Sequence, residues 1–438
     1  MTSFDPDMSF VEFGLNDRLL KALDKHELTH PTEVQQAAIP PAMYGEDLMV
    51  GAETGSGKTA AFVLPMLDRL LLKDARNSGT RALILVPTRE LAKQVFKQVK
   101  QLSSFSHLET GLIVGGEDYK YQKVILRKNP EIIIATPGRL LEHIEKKATD
   151  FDDLELLVLD EADRMLDMGF SDDVLNIVSH CDIDRQTLFF SATLKAQKVL
   201  RLGEQILSNP KTLVLNERKN QQAQINQLYV VADDDRHKER LVTWLLANET
   251  YEKCLVFTNT RESTQALGEH LGQHQDLVAY LHGEMDQKER NAIMGAFRHG
   301  KAKILVATDV ASRGLDIAGV DLVINFHMAR NGDDYVHRIG RTGRAGATGT
   351  AISLITANEW NLKASISKYL DVTMEAKTIK GLEGQYKGPK KVKSNGKAFG
   401  KKKKKKSVDK ATAKPNKNRG KKPPVNRDGF GPLKKKKS

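Results

Sequence analysis

Short, uniformly apolar runs alternate with longer amphipathic stretches along most of this chain. Strands that are apolar on both faces are typical of parallel sheets covered by helices. The candidate strands are residues 82–86, 132–135, 156–159 and 187–190 in the first half, and 254–257, 303–307, 322–325 and 350–355 in the second. A chain of 438 residues is also longer than a single core usually supports. We therefore predict an α/β fold with two tandem lobes, each built on a parallel sheet.

Changes in composition mark the borders of these lobes. A polar segment around residues 210–226 interrupts the alternation. Beyond about residue 380, apolar residues become too few to offset the entropy of ordering the chain. The predicted organisation is an N-terminal leader (1–30), a first lobe (31–212), a linker (213–228), a second lobe (229–380) and a disordered, lysine-rich tail (381–438).

The C-terminal tail carries the excess positive charge of the chain. Residues 387–438 hold 22 Lys and Arg against two acidic residues, Asp409 and Asp428, which gives a net charge of +20. Because the whole chain has a formal charge of +12, the remaining 386 residues carry −8. A basic appendage on a mildly acidic body is typical of an electrostatic tether to a polyanion.

The sequence argues against several classes of protein. No run approaches the roughly 18 consecutive apolar residues of a membrane-spanning helix. The N-terminus MTSFDPDMSF has neither the basic start nor the apolar run of a secretory signal. The two cysteines, Cys181 and Cys254, match no metal or redox spacing and fit small buried apolar residues. We expect a cytoplasmic protein with no membrane partner.

The stretch AETGSGKT, at residues 52–59, follows an apolar run and precedes a helical one. A strand, a glycine-rich turn and a helix start, in this order, are the context of a phosphate-binding P-loop. Lys58 is predicted to reach the β- and γ-phosphates of a nucleotide, and Thr59 to bind Mg²⁺. The predicted nucleotide-binding residues of the loop are Ala52, Glu53, Thr54, Gly55, Ser56, Gly57, Lys58 and Thr59. The alternative is a glycine turn with an incidental lysine, since Ala52 stands where the general pattern has glycine.

Acidic residues follow another apolar run, in the sequence DEAD at residues 160–163. Carboxylates at the carboxyl ends of strands face the crevice where open α/β sheets bind ligands. Asp160 is predicted to hold Mg²⁺ through water, and Glu161 to orient and deprotonate the attacking water. The alternative is a solvated helix N-terminus, where acidic residues suit the helix dipole. That alternative does not explain their position after a buried strand.

With these two motifs placed, the chain resembles the DEAD-box RNA helicases over roughly residues 10–380, and further family motifs occur in order. They are PTEVQ (31–35), PTRELA (87–92), the pair Gly115 and Gly116, TPGR (136–139), SAT (191–193), VFTNT (256–260), the Gln287–Arg290 pair, ATDVASRGLD (307–316) and HRIGRTGR (337–344). The resemblance implies two RecA-like lobes, with ATP and Mg²⁺ as cofactors. One departure is that Glu27 and Leu28 stand where the family usually has glycine and an aromatic residue.

The resemblance also assigns roles residue by residue. It implies that Gln35 and Phe10 bind adenine, that Asp316 contacts the ribose, and that Arg341 and Arg344 act as arginine fingers on the γ-phosphate. Ser191 and Thr193 would couple hydrolysis to strand separation. The implied RNA contacts, through backbone phosphates and sugars rather than bases, are Arg89, Gly116, Thr136, Arg139, Thr258, Thr308 and Arg313.

These roles predict an ATP-dependent RNA helicase that locally unwinds or remodels short duplexes. An ATP-gated RNA clamp or scaffold with incidental unwinding is an alternative, because both activities use the same motifs. A DNA helicase is disfavoured, since DEAD together with PTxxQ is typical of the RNA family. The basic tail predicts tethering to structured RNA, and the short leader and tail resemble those of bacterial helicases that act in ribosome assembly or RNA turnover.

Overall fold

The structure, a computed structural model, describes residues 4–52, 55–73, 78–194, 196–215, 225–275, 277–312, 320–343, 348–389, 391–393 and 396–398. Within these residues the chain forms two sheets of seven strands each, with parallel pairing between all neighbouring strands. Helices cover both sheets, which confirms the predicted class of two tandem RecA-like lobes.

The first sheet has the strand order β3-β4-β2-β5-β6-β1-β7. Its strands are β1 (Leu48–Gly51), β2 (Ala82–Leu85), β3 (Thr110–Ile113), β4 (Ile132–Ala135), β5 (Leu156–Leu159), β6 (Gln186–Ser191) and β7 (Lys211–Val214). The helices of this lobe are α1 (Asp17–Lys25), α2 (Glu33–Met43), α3 (Lys58–Leu72), α4 (Arg89–Leu102), α5 (Tyr119–Leu126), α6 (Pro137–Glu145), α7 (Ala162–Asp167), α8 (Ser171–Ser179) and α9 (Gln197–Ile206).

The second sheet has the order β10-β11-β9-β12-β13-β8-β14. Its strands are β8 (Ile225–Val231), β9 (Cys254–Thr258), β10 (Val278–Leu281), β11 (Ile304–Thr308), β12 (Leu322–Asn325), β13 (Gly349–Ile355) and β14 (Glu375–Ala376). The helices are α10 (Asp235–Asn248), α11 (Arg261–Gly272), α12 (Gln287–Arg298), α13 (Asp309–Ser312), α14 (Gly332–Ile339) and α15 (Trp360–Leu370).

The central strands form the cores of both lobes. Every residue of β2, β4, β5, β9 and β12 is buried, and alternate residues along a strand join different apolar clusters on the two faces of the sheet. This explains why the runs are apolar throughout rather than alternating. All eight predicted strands form, with ends that differ from the prediction by at most one residue. Five strands were not predicted: the edge strands β3, β7, β10 and β14, and strand β8.

Residues 4–30 are part of the first lobe. Phe10, Leu19 and Leu23 are buried in its core, and the Asn16 backbone N–H donates to Asp68 Oδ1 at 2.7 Å. The segment predicted as a leader and as the start of the adenine-recognition motif packs onto this lobe. Its amphipathic pattern buries apolar side chains against α3 and α4, which a detached segment would leave in water.

The predicted linker also overlaps structured elements. Strand β7 pairs with β1, and the Leu215 N–H continues that pairing by donating to the Gly51 carbonyl. Strand β8 begins at Ile225 and pairs with β13 over its whole length. Of the predicted linker, residues 216–224 lie outside the described part of the chain.

Packed structure continues past the predicted end of the second lobe at residue 380. The Asp233 carboxylate accepts hydrogen bonds from the backbone N–H groups of Gln385 and Tyr386, at 2.8 and 2.6 Å. The indole of Trp360 donates to the Gly396 carbonyl. These contacts hold the described part of residues 381–398 against α10 and α15. Residues 399–438 lie outside the described residues.

Candidate nucleotide and RNA sites

The order of strands in the first sheet separates two groups of motifs. The P-loop, DEAD and SAT follow β1, β5 and β6, which are neighbours in the sheet. The segments PTRELA, Gly115–Gly116 and TPGR follow β2, β3 and β4, which form the other side of the same sheet. Because all strands are parallel, both groups lie at the carboxyl edge, side by side, with the nucleotide motifs at one end and the predicted RNA motifs at the other.

The P-loop has the backbone geometry that phosphate binding requires. Gly55 and Gly57 both have φ of +95°, a conformation that residues with a Cβ rarely adopt. The following residue, Lys58, starts α3 and is buried, with its Nζ donating to the Ala52 carbonyl at 3.0 Å. The lysine therefore folds back over the loop, next to the helix N-terminus at which a phosphate binds. Glu53 and Thr54 lie outside the described residues.

Two residues of PTEVQ brace the P-loop directly. The Thr32 hydroxyl donates to the Ser56 carbonyl at 2.8 Å, and Gln35 Nε2 donates to the Gly57 carbonyl at 3.0 Å. A Cβ on Gly57 would lie within 2.7 Å of both side chains, so only glycine fits there. The adenine-reading role of Gln35 stays a prediction, and the bracing by Thr32 was not foreseen.

The structure also describes Glu27 and Phe10, two positions that the resemblance connects with adenine binding. Glu27 has φ of +56°, so the backbone at this position does take the left-handed conformation that glycine would favour. Phe10 is buried, 4% exposed, and contacts Phe13 edge-on within the core of the first lobe. A stacking contact between Phe10 and adenine stays a prediction.

The acid pair lies in a buried environment after β5. Burial raises the pKa of Asp160 to about 6, with the Glu161 carboxylate adding to this shift and the Lys58 ammonium opposing it. Glu161 has φ of +54°, and its Oε2 accepts a hydrogen bond from Arg164 Nη1 at 2.6 Å. A carboxylate and the Thr59 hydroxyl are hard oxygen ligands, which fit Mg²⁺ bound jointly by protein and phosphates. Among the described residues there is no cluster of three or more acidic, histidine or cysteine side chains that would form a cage for a metal ion.

A third acid, Asp163, links DEAD to SAT. Its Oδ2 accepts from the Thr193 hydroxyl at 2.9 Å and from the Ala192 N–H at 3.1 Å. The Ser191 hydroxyl in turn accepts from the Thr193 N–H at 3.1 Å. Ser191 and Thr193, predicted to couple hydrolysis to strand separation, are thus connected to the acidic motif through a residue that the sequence reasoning had given no role.

The predicted RNA residues of the first lobe lie together at the other end of the edge. Gly116 is exposed with φ of +76° and packs against the Arg89 guanidinium. The Thr136 hydroxyl accepts from the Gly115 N–H at 3.3 Å, and Arg139 Nη1 donates to the Glu117 carbonyl at 2.8 Å. The structure therefore brings Arg89, Gly116, Thr136 and Arg139 onto one surface.

A neutral histidine lies beneath this surface. His143 is fully buried, and its ring stacks on Tyr119 with centroids 4.1 Å apart. Burial, with the nearby Arg139 guanidinium as the next cause, lowers the pKa of His143 from 6.5 to about 4. The folded protein therefore favours the uncharged ring.

Acidification should destabilise the protein through this histidine. Between pH 6.5 and about 4 the unfolded chain binds the proton more readily than the folded chain, so stability falls as the pH falls through this window. We expect a loss of at most about 3 kcal/mol from His143. In His143→Phe, which keeps a stacking ring, the loss over the same range should be smaller, as measured by urea unfolding. Equal pH dependence in both proteins would contradict this.

The two lobes contact each other beside the RNA residues. Arg290 Nη2 lies 3.1 Å from the Glu90 carboxylate, and Gln287 bonds to both Arg89 and Glu90. A cavity of about 390 Å³ opens at this contact. It is lined from the first lobe by Arg89, Thr136 and Arg139, and from the second by Gly283, Met285, Gln287 and Arg290. Three of the four predicted first-lobe residues, Arg89, Thr136 and Arg139, therefore face a space that both lobes form.

The predicted RNA residues of the second lobe differ in their environment. Thr258 is fully buried and its hydroxyl lies 2.6 Å from that of Thr264, and its RNA contact stays a prediction. Position 258 ends a core strand, so its side chain packs inward. Thr308 is half-buried, and its hydroxyl accepts from the Ala311 N–H at the start of α13. Arg313, and the predicted ribose ligand Asp316, lie outside the described residues.

The arginines of HRIGRTGR differ in environment despite their equal spacing. Arg338 donates to Asp309, Asn259 and the His327 carbonyl, at 2.6 to 2.7 Å, and is 1% exposed. It therefore fixes α14 to the lobe. Arg341 follows α14 and is 5% exposed, while Arg344 lies outside the described residues.

A P-loop, a buried acid pair and a second RecA-like lobe define the class of two-lobe, P-loop nucleotide hydrolases. Comparison with known proteins gives the family. Residues 32–202 match the family model "DEAD/DEAH box helicase", and residues 236–346 match "Helicase conserved C-terminal domain". The chain is 41% identical to the ATP-dependent RNA helicase SrmB of Haemophilus influenzae over 87% of both chains, and 42% identical to SrmB of Escherichia coli over 87% and 86%. The chain belongs to the DEAD-box ATP-dependent RNA helicases, which are RNA-stimulated ATPases.

Solved structures of the same architecture include ligand-bound forms. S. cerevisiae Dbp5 bound to RNA and ADP BeF3 matches with a TM-score of 0.76 and 32% identity, covering 84% of this chain and 95% of that one. Mss116p bound to ssRNA and AMP-PNP matches with a TM-score of 0.74 and 28% identity, covering 85% and 80%. None of the described helices combines the length and apolarity needed to cross a bilayer.

Proposed function

We propose that this helicase locally unwinds or remodels short RNA duplexes in the cytoplasm, with ATP and Mg²⁺ bound at the first-lobe edge formed by β5, β6 and β1. The observation that carries the proposal is a pair of links to SAT: Asp163 of DEAD accepts from Thr193 and Ala192, and the Ala52 N–H of the P-loop donates to the Ser191 carbonyl. These links lie on the same sheet edge as the predicted RNA surface, which supports coupling between nucleotide state and RNA binding.

Each residue has a specific task in this mechanism. Lys58 and the glycines of the P-loop would bind the phosphates, and Thr59 and Asp160 would hold Mg²⁺, which would neutralise charge on the phosphates. Glu161 orients and deprotonates the attacking water, while Arg341 and Arg344 stabilise charge on the γ-phosphate. The arginines come from the second lobe, so hydrolysis depends on closure of the two lobes.

RNA binding on the proposed surface is independent of sequence. Guanidinium groups, hydroxyls and backbone N–H groups from Arg89, Gly116, Thr136 and Arg139 suit phosphate and sugar oxygens, which carry no base information. Arg139 has a well-restrained side chain, because its guanidinium donates to the Glu117 carbonyl and lies 3.2 Å from the Glu142 carboxylate.

The nucleic-acid preference is the direct test of this function. Single-stranded RNA is expected to stimulate ATP hydrolysis by the full chain, and DNA of the same sequence is not. Short RNA duplexes should separate only with hydrolysable ATP, and RNA should be released rapidly after each turnover. Absence of RNA stimulation would overturn the proposal, and slow release after hydrolysis would favour an ATP-gated clamp instead.

The basic tail is proposed to tether the enzyme to structured RNA, such as ribosomal precursor particles. Residues 399–438 contain 17 Lys and Arg and two acidic residues, and they follow Ala398, whose backbone N–H donates to Asn361 Oδ1 of the second lobe. Their charge favours any RNA through release of counterions from phosphates.

Deletion of residues 399–438 should therefore weaken RNA binding at low salt and flatten its salt dependence, with the maximal ATPase rate changed by less than about twofold. A cut at residue 387 would also remove contacts to α15, so the deletion should start after Ala398. A tail of equal length with Gln in place of Lys and Arg is the matched control and should behave like the deletion. Loss of ATPase activity at saturating RNA would show that the tail is more than a tether.

A further inference from the structure

A buried glutamine connects two of the segments that form the RNA surface. Gln122 lies in α5, outside every motif found in the sequence, and is 1% exposed. Its Nε2 donates to the Val114 carbonyl at 2.7 Å, directly before Gly115 and Gly116. Its Oε1 accepts from Arg139 Nη1 at 3.3 Å and from His143 Nε2 at 3.2 Å. One amide thus bonds to the strand end before the glycine turn and to an arginine of TPGR.

The orientation of this amide is fixed by its partners. Because Nε2 must face the Val114 carbonyl, Oε1 faces the two donors, and His143 carries its proton on Nε2. The Tyr119 ring, stacked on His143, also lies 6.0 Å from the Arg139 guanidinium. Arg139 is therefore restrained by an amide, a backbone carbonyl and an aromatic ring before any RNA is bound.

Such restraint affects binding because a free arginine loses rotamer entropy when it is immobilised on a ligand. Pre-organisation removes part of that cost. The restraint also sets the distance between Arg139 and the glycine turn, because Gln122 Nε2 bonds to the Val114 carbonyl, directly after β3, and the turn that follows packs against Arg89. Two guanidinium groups and one glycine N–H are thereby held in a fixed arrangement.

We propose that Gln122 is a positioning residue that fixes Arg139 relative to the Gly115–Gly116 turn, and thereby sets the affinity of the first lobe for the backbone of single-stranded RNA. The inference rests on the proposed function, because it assumes that Arg139 contacts RNA. Gln122 is buried and does not reach the RNA surface, so its effect must pass through the placement of Arg139 relative to the Gly115–Gly116 turn, which needs both hydrogen bonds of the amide.

The test is Gln122→Met in the full chain, with RNA-stimulated ATPase measured against a single-stranded oligonucleotide. Loss of the amide should raise the KM for RNA about tenfold. The KM for ATP and the kcat at saturating RNA should change by less than about twofold. An unchanged KM for RNA in a folded variant would overturn the inference.

Gln186→Met is a matched control in the same lobe. Gln186 is also buried, donates to two backbone carbonyls and accepts from an arginine, Arg69. It is the first residue of β6, so it lies at the amino ends of the strands, away from the RNA surface at their carboxyl ends. This variant should lose stability without a change in the KM for RNA. If both variants raise that KM equally, the effect is general destabilisation, and the inference fails.

A double-mutant cycle with Arg139→Ala separates this inference from the proposed function. If Gln122 acts through Arg139, Gln122→Met should add nothing to Arg139→Ala; additive effects would overturn the inference alone. If Arg139→Ala leaves RNA affinity unchanged, the proposed RNA surface is wrong.

Should the Met variant not fold, Gln122→Glu replaces it, because it keeps the size and the acceptor for Arg139 but loses the donor to Val114. It should also raise the KM for RNA, and an unchanged value would count against the inference.

Discussion

Replacement of Glu161 by glutamine is expected to lower ATP turnover about 10²- to 10⁴-fold, the usual contribution of a positioned general base. ATP and RNA binding should persist, because neither the P-loop nor the RNA surface includes this side chain. The measurement is single-turnover hydrolysis with saturating RNA, together with direct binding of ATP. Residual turnover within a factor of ten of the wild type would rule out Glu161 as the base.

Stability must be measured in the same variant, because Glu161 also pairs with the buried Arg164 at 2.6 Å. The loss of a buried carboxylate leaves the guanidinium uncompensated and destabilises the lobe. Glu155→Gln is the matched control. Glu155 directly precedes β5, whereas Glu161 follows it, and it pairs with the buried Arg81 at the same distance. This control should lose stability yet retain turnover.

Replacement of Arg341 by lysine is expected to reduce RNA-stimulated turnover about 10³- to 10⁵-fold, as loss of an arginine finger does in comparable nucleotide hydrolases. Lysine keeps the charge but loses the planar fork that matches phosphate oxygens. Because the effect lies in the transition state, kcat should fall while ATP affinity in the absence of RNA stays nearly unchanged. Steady-state kinetics with and without RNA measure both.

Arg338→Lys provides the contrast within the same motif. Arg338 bonds to Asp309, Asn259 and a backbone carbonyl, so its replacement should lower the melting temperature of the second lobe. The exposed Arg240 of α10, changed to alanine, should leave both properties unaltered. If Arg341→Lys behaves like Arg338→Lys, with loss of stability but normal turnover in the folded fraction, Arg341 is structural and the finger assignment fails.

The sequence alone determined the elements that depend on local chemistry. Short, uniformly apolar runs between longer amphipathic stretches are typical of strands buried on both faces, and the central strands were predicted almost to the residue. The P-loop was predicted from a glycine-rich turn between an apolar run and a helical run, and Gly55 and Gly57 have the positive φ that glycine permits. Short, polar or edge strands such as β3 and β7 were not predicted, because their sequence patterns do not differ from those of loops.

Only the tertiary structure decided which side chains meet. Strand order placed β5, β6 and β1 side by side, and no spacing along the chain contains that order. Three equally spaced arginines look alike in the sequence, yet the partners of Arg338 show it to be structural. The contacts of Gln122 join residues 8 to 21 positions apart, through the packing of α5 against α6 and the end of β3. Local sequence fixes backbone conformation, whereas contacts between distant residues depend on how whole elements pack, and the functional network of this protein is built from such contacts.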